Sequence, residues 1–503
     1  MRMKKRTAAR SMAALMGAAM VLTACGGGNT TAPTTGASSG GETQTASESA
    51  ESGKITKTDI VVGQASDIVT LDPAGQQDTT SGVLMKHAYS TLLDVDNEGK
   101  VVPDLAESYE MKSDTEYVFK LREDACFWDG TPVTAQDVKF SLDRAKGMPK
   151  TKSNTSKIEE VTVNGDHEVT IKLTEPYAAF KTIVTQHNLS ILSEKAVTEA
   201  GDSYGDVDNL LGSGPFKVTE WVPNDHYTLV RNDNYWGEMP IATSITCRVI
   251  PEGSARTIAL EAGEIDVVWS VDPTDCANVE SNPDVKLLSQ PSTGIDYVGM
   301  NTQKEKFSDK RVRQAINYAL DKQAFVDTII EGRGLVANSY INAAIPGWTD
   351  EVEAYPYDPE KAKELLAEAG YPDGFECSIF VNGDLRTRSA QILQAQLADV
   401  GIKVDISTYE WGALLDTLNA GEHEMFLLGW SNTSFDPDGS TYQLFYSGNH
   451  GATGNRAFFS NDKVDELILS AQRESEESKR MELYKELQFV LHEESPWCPL
   501  YYK

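Results

Sequence analysis

Residues 106–142, AESYEMKSDTEYVFKLREDACFWDGTPVTAQDVKFSL, carry strand, turn and helix signals in one short run. That order constrains the fold more than any other stretch. Tyr117-Val118-Phe119-Lys120-Leu121 is β-rich with alternating polarity, the pattern of a strand with one buried face. Trp128-Asp129-Gly130-Thr131-Pro132 is a turn cluster, since Asp-Gly suits a tight turn and proline pre-sets its own φ. Thr134 followed three residues on by Asp137 predicts an N-cap close to a capping box, so a helix is expected to start there.

The rest of the chain alternates in the same way. Strands are expected at 60–63, 297–301 and 402–406. Residues 161–173 predict a β-hairpin turning at Asn164-Gly165. Helices are expected over 81–93, 308–332, 358–370 and 388–400, and Gly370 gives a C-cap signal. Residues 254–267 predict a helix leading into a strand. Arg311 and Arg313 are expected on a solvated or salt-bridged face. Together these elements give an α/β protein with no internal repeat.

The first residues supply a different kind of information. Arg2, Lys4, Lys5, Arg6 and Arg10 form a basic region, and 11–21 is an apolar run too short to span a bilayer. Leu22-Thr23-Ala24-Cys25 follows, in which small residues precede a cysteine. The order predicts a cleaved signal peptide at 1–24 and lipidation of Cys25. Residues 25–54 are rich in Gly, Ser, Thr and Ala and cannot bury enough apolar surface to fold, so they predict a flexible tether. The expected location is the outer, extracytoplasmic face of a cell membrane, or the periplasm of a double-membrane cell.

The formal net charge is −31, and loss of the basic leader makes it more negative still. Such a chain repels nucleic acid and anionic membranes. Five cysteines remain after Cys25, an odd number without CxxC spacing, which argues against a metal cluster. Cys247 with Cys276 is the pair to examine for a disulfide, and buried free thiols are the alternative. The seven histidines are scattered without metal spacing. No HExxH, GxSxG or Walker A motif occurs, so no catalytic chemistry, metal or cofactor is expected.

The 106–142 run resembles the signature of the solute-binding proteins of ABC importers in the peptide/nickel class, family 5. A second block resembles the family's pattern too: Gly212-Ser213-Gly214-Pro215-Phe216, Trp221, and Arg231-Asn232 through Tyr235-Trp236-Gly237. The resemblance covers 55–502. It implies a two-lobed periplasmic-binding-protein fold, type II, cluster C, closing on ligand about hinges near 289–297 and 494–499. Lobe I would comprise 55–98, 205–289 and 495–503, with an inserted subdomain at 99–204. Lobe II would comprise 290–494. Relatives usually continue past the Pro-Leu-Tyr-Tyr strand, so the stop at Lys503 suggests a truncated end.

The resemblance also implies where ligand sits. Tyr409-Glu410-Trp411-Gly412 and 428–438 match pocket-lining segments of peptide binders, which makes Trp411 and Trp430 candidates. An indole offers large apolar contact with little side-chain preference. The position where relatives place an aspartate for the peptide ammonium is Thr433, with Asp436 and Asp438 the nearest carboxylates. The arginine that pairs with the peptide carboxylate falls near Asn382, with Arg386 and Arg388 close by. Asp78 and Thr79, in the polar loop 76–81, lie where relatives touch ligand, although an N-cap role fits them equally. The implied function is capture of peptides, oligopeptides above all, by a monomer that hands them to a permease driven by ATPases. A nickel chelate, a sugar or another small solute is the alternative ligand. A sensor role and a hydrolase using Asp436 and Asp438 are weaker alternatives.

Overall fold

The computed structural model describes residues 57–503; the expected leader, Cys25 and the tether at 25–54 lie outside the described residues. The 106–142 run folds as its sequence predicts. Glu116–Leu121 is a strand with Tyr117, Phe119 and Leu121 buried and Lys120 exposed. Thr134 caps the helix Ala135–Lys146 through a complete capping box. Its hydroxyl accepts the Asp137 N–H at 3.4 Å, and the Asp137 carboxylate accepts the Thr134 N–H at 2.9 Å. Val138 and Leu142 of that helix share a core with Phe119, Val161 and Val169.

Three larger sheets organise the chain. The first half holds a four-stranded antiparallel sheet, in the order Ala106–Ser113, Glu116–Leu121, Glu168–Leu173, Ile158–Gly165. It also holds a five-stranded sheet, in the order Val267–Val268, Asp59–Gln64, Ser244–Val249, His226–Arg231, Phe216–Val222. The second half is built on a six-stranded sheet, in the order Leu335–Val336, Trp497–Tyr502, Gly294–Met300, Met425–Ser431, Glu376–Val381, Lys403–Thr408. Gly294–Met300 is buried along its whole length, as a central strand covered on both faces must be. Its neighbour shows the two faces: Leu427 packs in one core with Val312, Leu366 and Leu393, while Phe426 and Leu428 pack in another with Tyr484, Leu487 and Trp497.

Several expectations are corrected. The helix predicted at 81–93 runs Thr79–Ala88, and Leu93–Val95 is a strand. The Ala88 carbonyl accepts the Gly214 N–H at 3.0 Å, and a Cβ at Gly212 would come within 2.0 Å of that same oxygen. The glycines of the second block thus let the backbone press onto the helix end. The hairpin forms, but Gly165 pairs with Glu168, so Asp166-His167 makes the turn. Asn164 instead donates from its side chain to Glu168 and Thr170 across the ladder. The 308–332 helix is broken into Lys310–Ala319 and Lys322–Ile329, because Asp309 and Asp321 each cap a new start. The helix expected from Arg388 begins earlier, at Gly383–Ala398. Arg311 is half-buried and paired with Asp309 as expected, whereas Arg313 is buried, donates to the carbonyls of Phe307, Ser308 and Glu494, and lies 3.6 Å from the Glu494 carboxylate. Cys247 and Cys276 are free, buried thiols.

The strand Trp497–Tyr502 differs most from expectation. The resemblance places residues 495–503 with lobe I, yet this strand lies between Gly294–Met300 and Leu335–Val336 in the six-stranded sheet. Every residue of WCPLYY is buried, and only a position inside a covered sheet offers that environment. Trp497 stacks on Tyr297 of the neighbouring strand at 3.4 Å between ring centroids and 8°.

Candidate functional site

The two halves meet directly. The Ala178 N–H of the first donates to the Gln472 carbonyl of the second at 2.8 Å, and the Ser156 and Tyr442 hydroxyls bond at 3.1 Å. Gln77 donates to the Thr453 carbonyl at 3.2 Å. Arg333 pairs with Glu280 at 2.9 Å, and Arg388 with Asp272 at 2.5 Å. The candidate residues fall along this junction, and their partners sort them into two groups.

The first group, Thr79 apart, is engaged in holding the protein together. Asp436 is buried and forms an ion pair with Arg480, which is equally buried. It also accepts the Asp438 N–H at 2.9 Å. Asp438 is 1% exposed and accepts from Tyr177 at 2.5 Å, Gln472 at 2.8 Å and Tyr484 at 3.4 Å. Burial and the neighbouring Asp436 push its carboxyl up to about 6, against the pull of Tyr177, Gln472 and Arg480. Trp430 is half-buried, and its indole N–H donates to the Gly439 carbonyl at 3.0 Å. Asn382 precedes the helix Gly383–Ala398 and donates to the Tyr409 carbonyl at 3.0 Å. Arg388 is held by Asp272, so its role is to join the halves. Thr433 is exposed and donates to Gln186 across the junction at 3.2 Å. Thr79 is exposed on the first turn of its helix.

The second group is buried and incomplete. Asp78 caps the helix Thr79–Ala88 with Oδ1, which accepts the Ser81 N–H at 2.9 Å, while Oδ2 is buried without a partner. Trp411 opens the helix Trp411–Asn419, and its indole N–H is buried without a hydrogen bond. The two residues face each other: Trp411 and Ser81 pull the Asp78 carboxyl down, burial pushes it up, and burial wins. Their contact falls outside hydrogen-bond geometry, since both atoms remain unpartnered. The Arg386 guanidinium lies over the Trp411 ring at 5.8 Å, and its Nε is unpartnered too.

Three further residues belong to this group: Gln77 lies in the polar loop 76–81 named from the sequence, whereas Gln186 and Arg456 carry no signal there. Gln77 Oε1 and Gln186 Nε2 are buried without partners, and both belong to irregular loops. Arg456 is 6% exposed, and its hydrogen bonding to other side chains consists of a single bond from Nε to Asn419 at 3.0 Å. Its electrostatic neighbours are Tyr297 and Asp78. Buried polar atoms are almost always bonded to protein or water, so orphans on both halves make these residues candidates for contact with a ligand's polar groups. Of these residues, Asp78 and Arg386 lie against Trp411, the first at its N–H and the second over its ring. Two concavities lie elsewhere: a shallow groove beside Leu483 and Phe489, and a small polar cavity between Lys86, Asp104 and His187. Neither is lined by any residue of the orphan cluster. No group of three or more His, Cys, Asp or Glu side chains able to hold a metal occurs among the described residues.

Known proteins share this architecture. The family model described as bacterial extracellular solute-binding proteins, family 5 Middle, matches residues 100–452. The glutathione-binding protein GsiB of Escherichia coli (strain K12) is 32% identical over 461 residues, covering 88% of each chain. Among solved structures, the periplasmic binding protein DppA from Helicobacter pylori in complex with the peptide STSA superposes with a TM-score of 0.85 at 30% identity, covering 88% of this chain and 92% of that one. The oligopeptide-binding protein AppA from Bacillus subtilis, in complex with a nonapeptide, gives a TM-score of 0.81 at 27% identity, covering 88% and 92%. The two halves are therefore the lobes of a periplasmic-binding-protein fold, and the chain belongs to the bacterial extracellular solute-binding proteins of family 5.

Proposed function

We propose that this protein captures peptides between its two lobes and delivers them to the permease and ATPase subunits of an ABC importer, without transforming them. The observation that carries the reading is the group at Trp411: Asp78 of one lobe at its N–H and Arg386 of the other over its ring, each with a buried polar atom that lacks a partner. A peptide supplies both donors and acceptors along its backbone, and an indole wall tolerates varied side chains. The relatives support it: one is named for glutathione, and two are solved with a tetrapeptide and a nonapeptide. Lipidation at Cys25, a tether at 25–54 and a monomeric state on the outer membrane face complete the proposal, because a tethered binding protein samples the permease without diffusing away.

A thermal-shift screen tests it. A ligand bound only by the folded state raises the melting temperature by mass action, by about 2.7 kcal/mol of added stability at a hundred times its Kd. Di-, tri- and longer peptides are expected to raise it. A shift produced only by nickel chelates or sugars overturns the peptide reading and leaves the fold untouched.

A further inference from the structure

The small polar cavity between Lys86, Asp104 and His187 is lined by the first lobe alone. Its volume is about 180 Å³, and Ser90, Asp94 and Tyr235 complete its walls. Lys86 is held by Asp94 at 3.0 Å, and the neighbouring Arg122 by Asp124 at 3.0 Å. Asp104 forms no ion pair among the described residues. Its Oδ2 accepts the Thr91 N–H at 2.8 Å and the Thr91 hydroxyl at 3.5 Å, which leaves Oδ1 free. Burial and the charge of Asp94 push its carboxyl up to about 7, against the donors of Thr91 and the charge of Lys86. Three more groups around the cavity are unspent. Ser90 is 5% exposed, and its hydroxyl makes no hydrogen bond among the described residues. The His187 ring and the Tyr235 hydroxyl make none among them either. Burial depresses His187 to about 4, so its imidazole is neutral at pH 7 and one ring nitrogen is an acceptor.

A free carboxylate oxygen, a hydroxyl and a neutral imidazole make three acceptors and one negative charge. A primary ammonium matches them, with three donors and one positive charge. A metal ion does not match, since no group of three or more His, Cys, Asp or Glu side chains able to hold one occurs among the described residues. Hard cations take oxygen ligands, which leaves the imidazole nitrogen without a role. The cavity also lies at the C-terminal end of the helix Thr79–Ala88, where the helix dipole favours positive charge. The Tyr235 ring adds a further attraction for a cation. We propose that this cavity is a second ligand site, separate from the lobe junction, that takes the ammonium group of a small primary amine: Asp104 supplies the countercharge, and Ser90 and His187 accept the other two N–H groups. The volume is below the roughly 300–1,000 Å³ of pockets that hold drug-sized ligands, so the amine carries only a few carbons. The site depends on neither the peptide reading nor lobe closure, because every residue that lines it belongs to the first lobe.

Thermal melting with the chlorides of methylammonium, tetramethylammonium and potassium, on the wild type, Asp104→Asn, Ser90→Ala and Asp78→Asn, tests the site. Methylammonium is expected to raise the wild-type melting temperature along a saturating curve. The other two cations have no N–H to donate and are expected to give smaller shifts that do not saturate. Asp104→Asn keeps an oxygen for the Thr91 N–H, removes the charge, and is expected to abolish the methylammonium shift. Ser90→Ala is expected to weaken methylammonium about tenfold, because one hydrogen bond to a charged group is lost. Asparagine is as good an N-cap as aspartate, so Asp78→Asn keeps its helix start and is expected to keep the shift. A wild type without a saturating shift, equal shifts from all three salts, or a shift kept in Asp104→Asn and lost in Asp78→Asn overturns the proposal. If Asp104→Asn does not fold, Ser90→Ala decides, and wild-type affinity in that variant overturns the assignment.

Discussion

Two carboxylate sites border the same lobe junction and behave in opposite ways. Asp436 and Asp438 carry the motif that matches peptide binders, yet every oxygen that matters is engaged by Arg480, Tyr177, Gln472 or Tyr484. Asp78 sits in a loop whose sequence reads equally as an ordinary helix cap, yet half of its carboxylate is buried and unused. A satisfied buried charge reports on stability, and an unsatisfied one reports on a missing partner. Motif position and hydrogen-bond satisfaction rank these residues in opposite orders.

The contrast breaks first, and with the largest effect, at Arg480. Replacing Arg480 by Met leaves Asp436 and Asp438 buried together with no cation, and is expected to cost about 3–5 kcal/mol. Denaturant unfolding checks this. The peptide affinity of whatever remains folded is expected to stay within about threefold of wild type, a change of under 1 kcal/mol. A variant of wild-type stability with lost binding would move Asp436 and Asp438 from the scaffold to the ligand.

Acid sharpens the comparison on the other side. His423 is fully buried, donates from Nε2 to the Arg456 carbonyl at 2.8 Å, and is depressed to about 4 by burial. Its folded value lies below its unfolded value near 6.5. Its contribution to stability is therefore present above pH 6.5 and is lost as pH falls through 4, by up to about 3 kcal/mol. Because His423 anchors the backbone of Arg456, peptide affinity is expected to fall over the same window. Melting and titration at steps from pH 7 to 4 follow both, and a His423→Gln variant is expected to flatten both slopes. An unchanged slope in that variant assigns the loss elsewhere.

How much of this was legible in the sequence follows from how local each signal is. The capping box at Thr134 and Asp137, the alternation in 117–121 and the glycines at 212 and 214 all act through neighbours within a few residues or through a backbone approach that only glycine permits. They folded as read. The breaks at Asp309 and Asp321 were also local, but apolar periodicity ran through them and hid the two caps. The strand Trp497–Tyr502 was misassigned because pairing is decided by a partner some two hundred residues away. At the candidate site, Trp411, Asp78, Arg386 and the loop that holds Gln77 are named from the sequence, while Gln186 and Arg456 are not. A single glutamine in an irregular loop carries no periodicity, spacing or cap signal, and only the folded junction shows that its polar atom lacks a partner.

The smallest expected effect is the most discriminating. Thr433→Asp restores a carboxylate where relatives would read the ammonium. Thr433 is exposed and bonded to Gln186, so the new charge would stand in water at the rim of the junction. Exposed ion pairs are worth about 0–1 kcal/mol, so affinity for a free-amino tripeptide is expected to rise by less than about fivefold. If Asp78 holds the ammonium, Asp78→Asn is expected to weaken binding equally with and without Thr433→Asp, because the two carboxylates then never share a proton-bearing partner. If Thr433→Asp strengthens binding by tenfold or more and makes Asp78 dispensable, the ammonium reaches the rim, and the buried oxygen of Asp78 belongs to the helix cap alone.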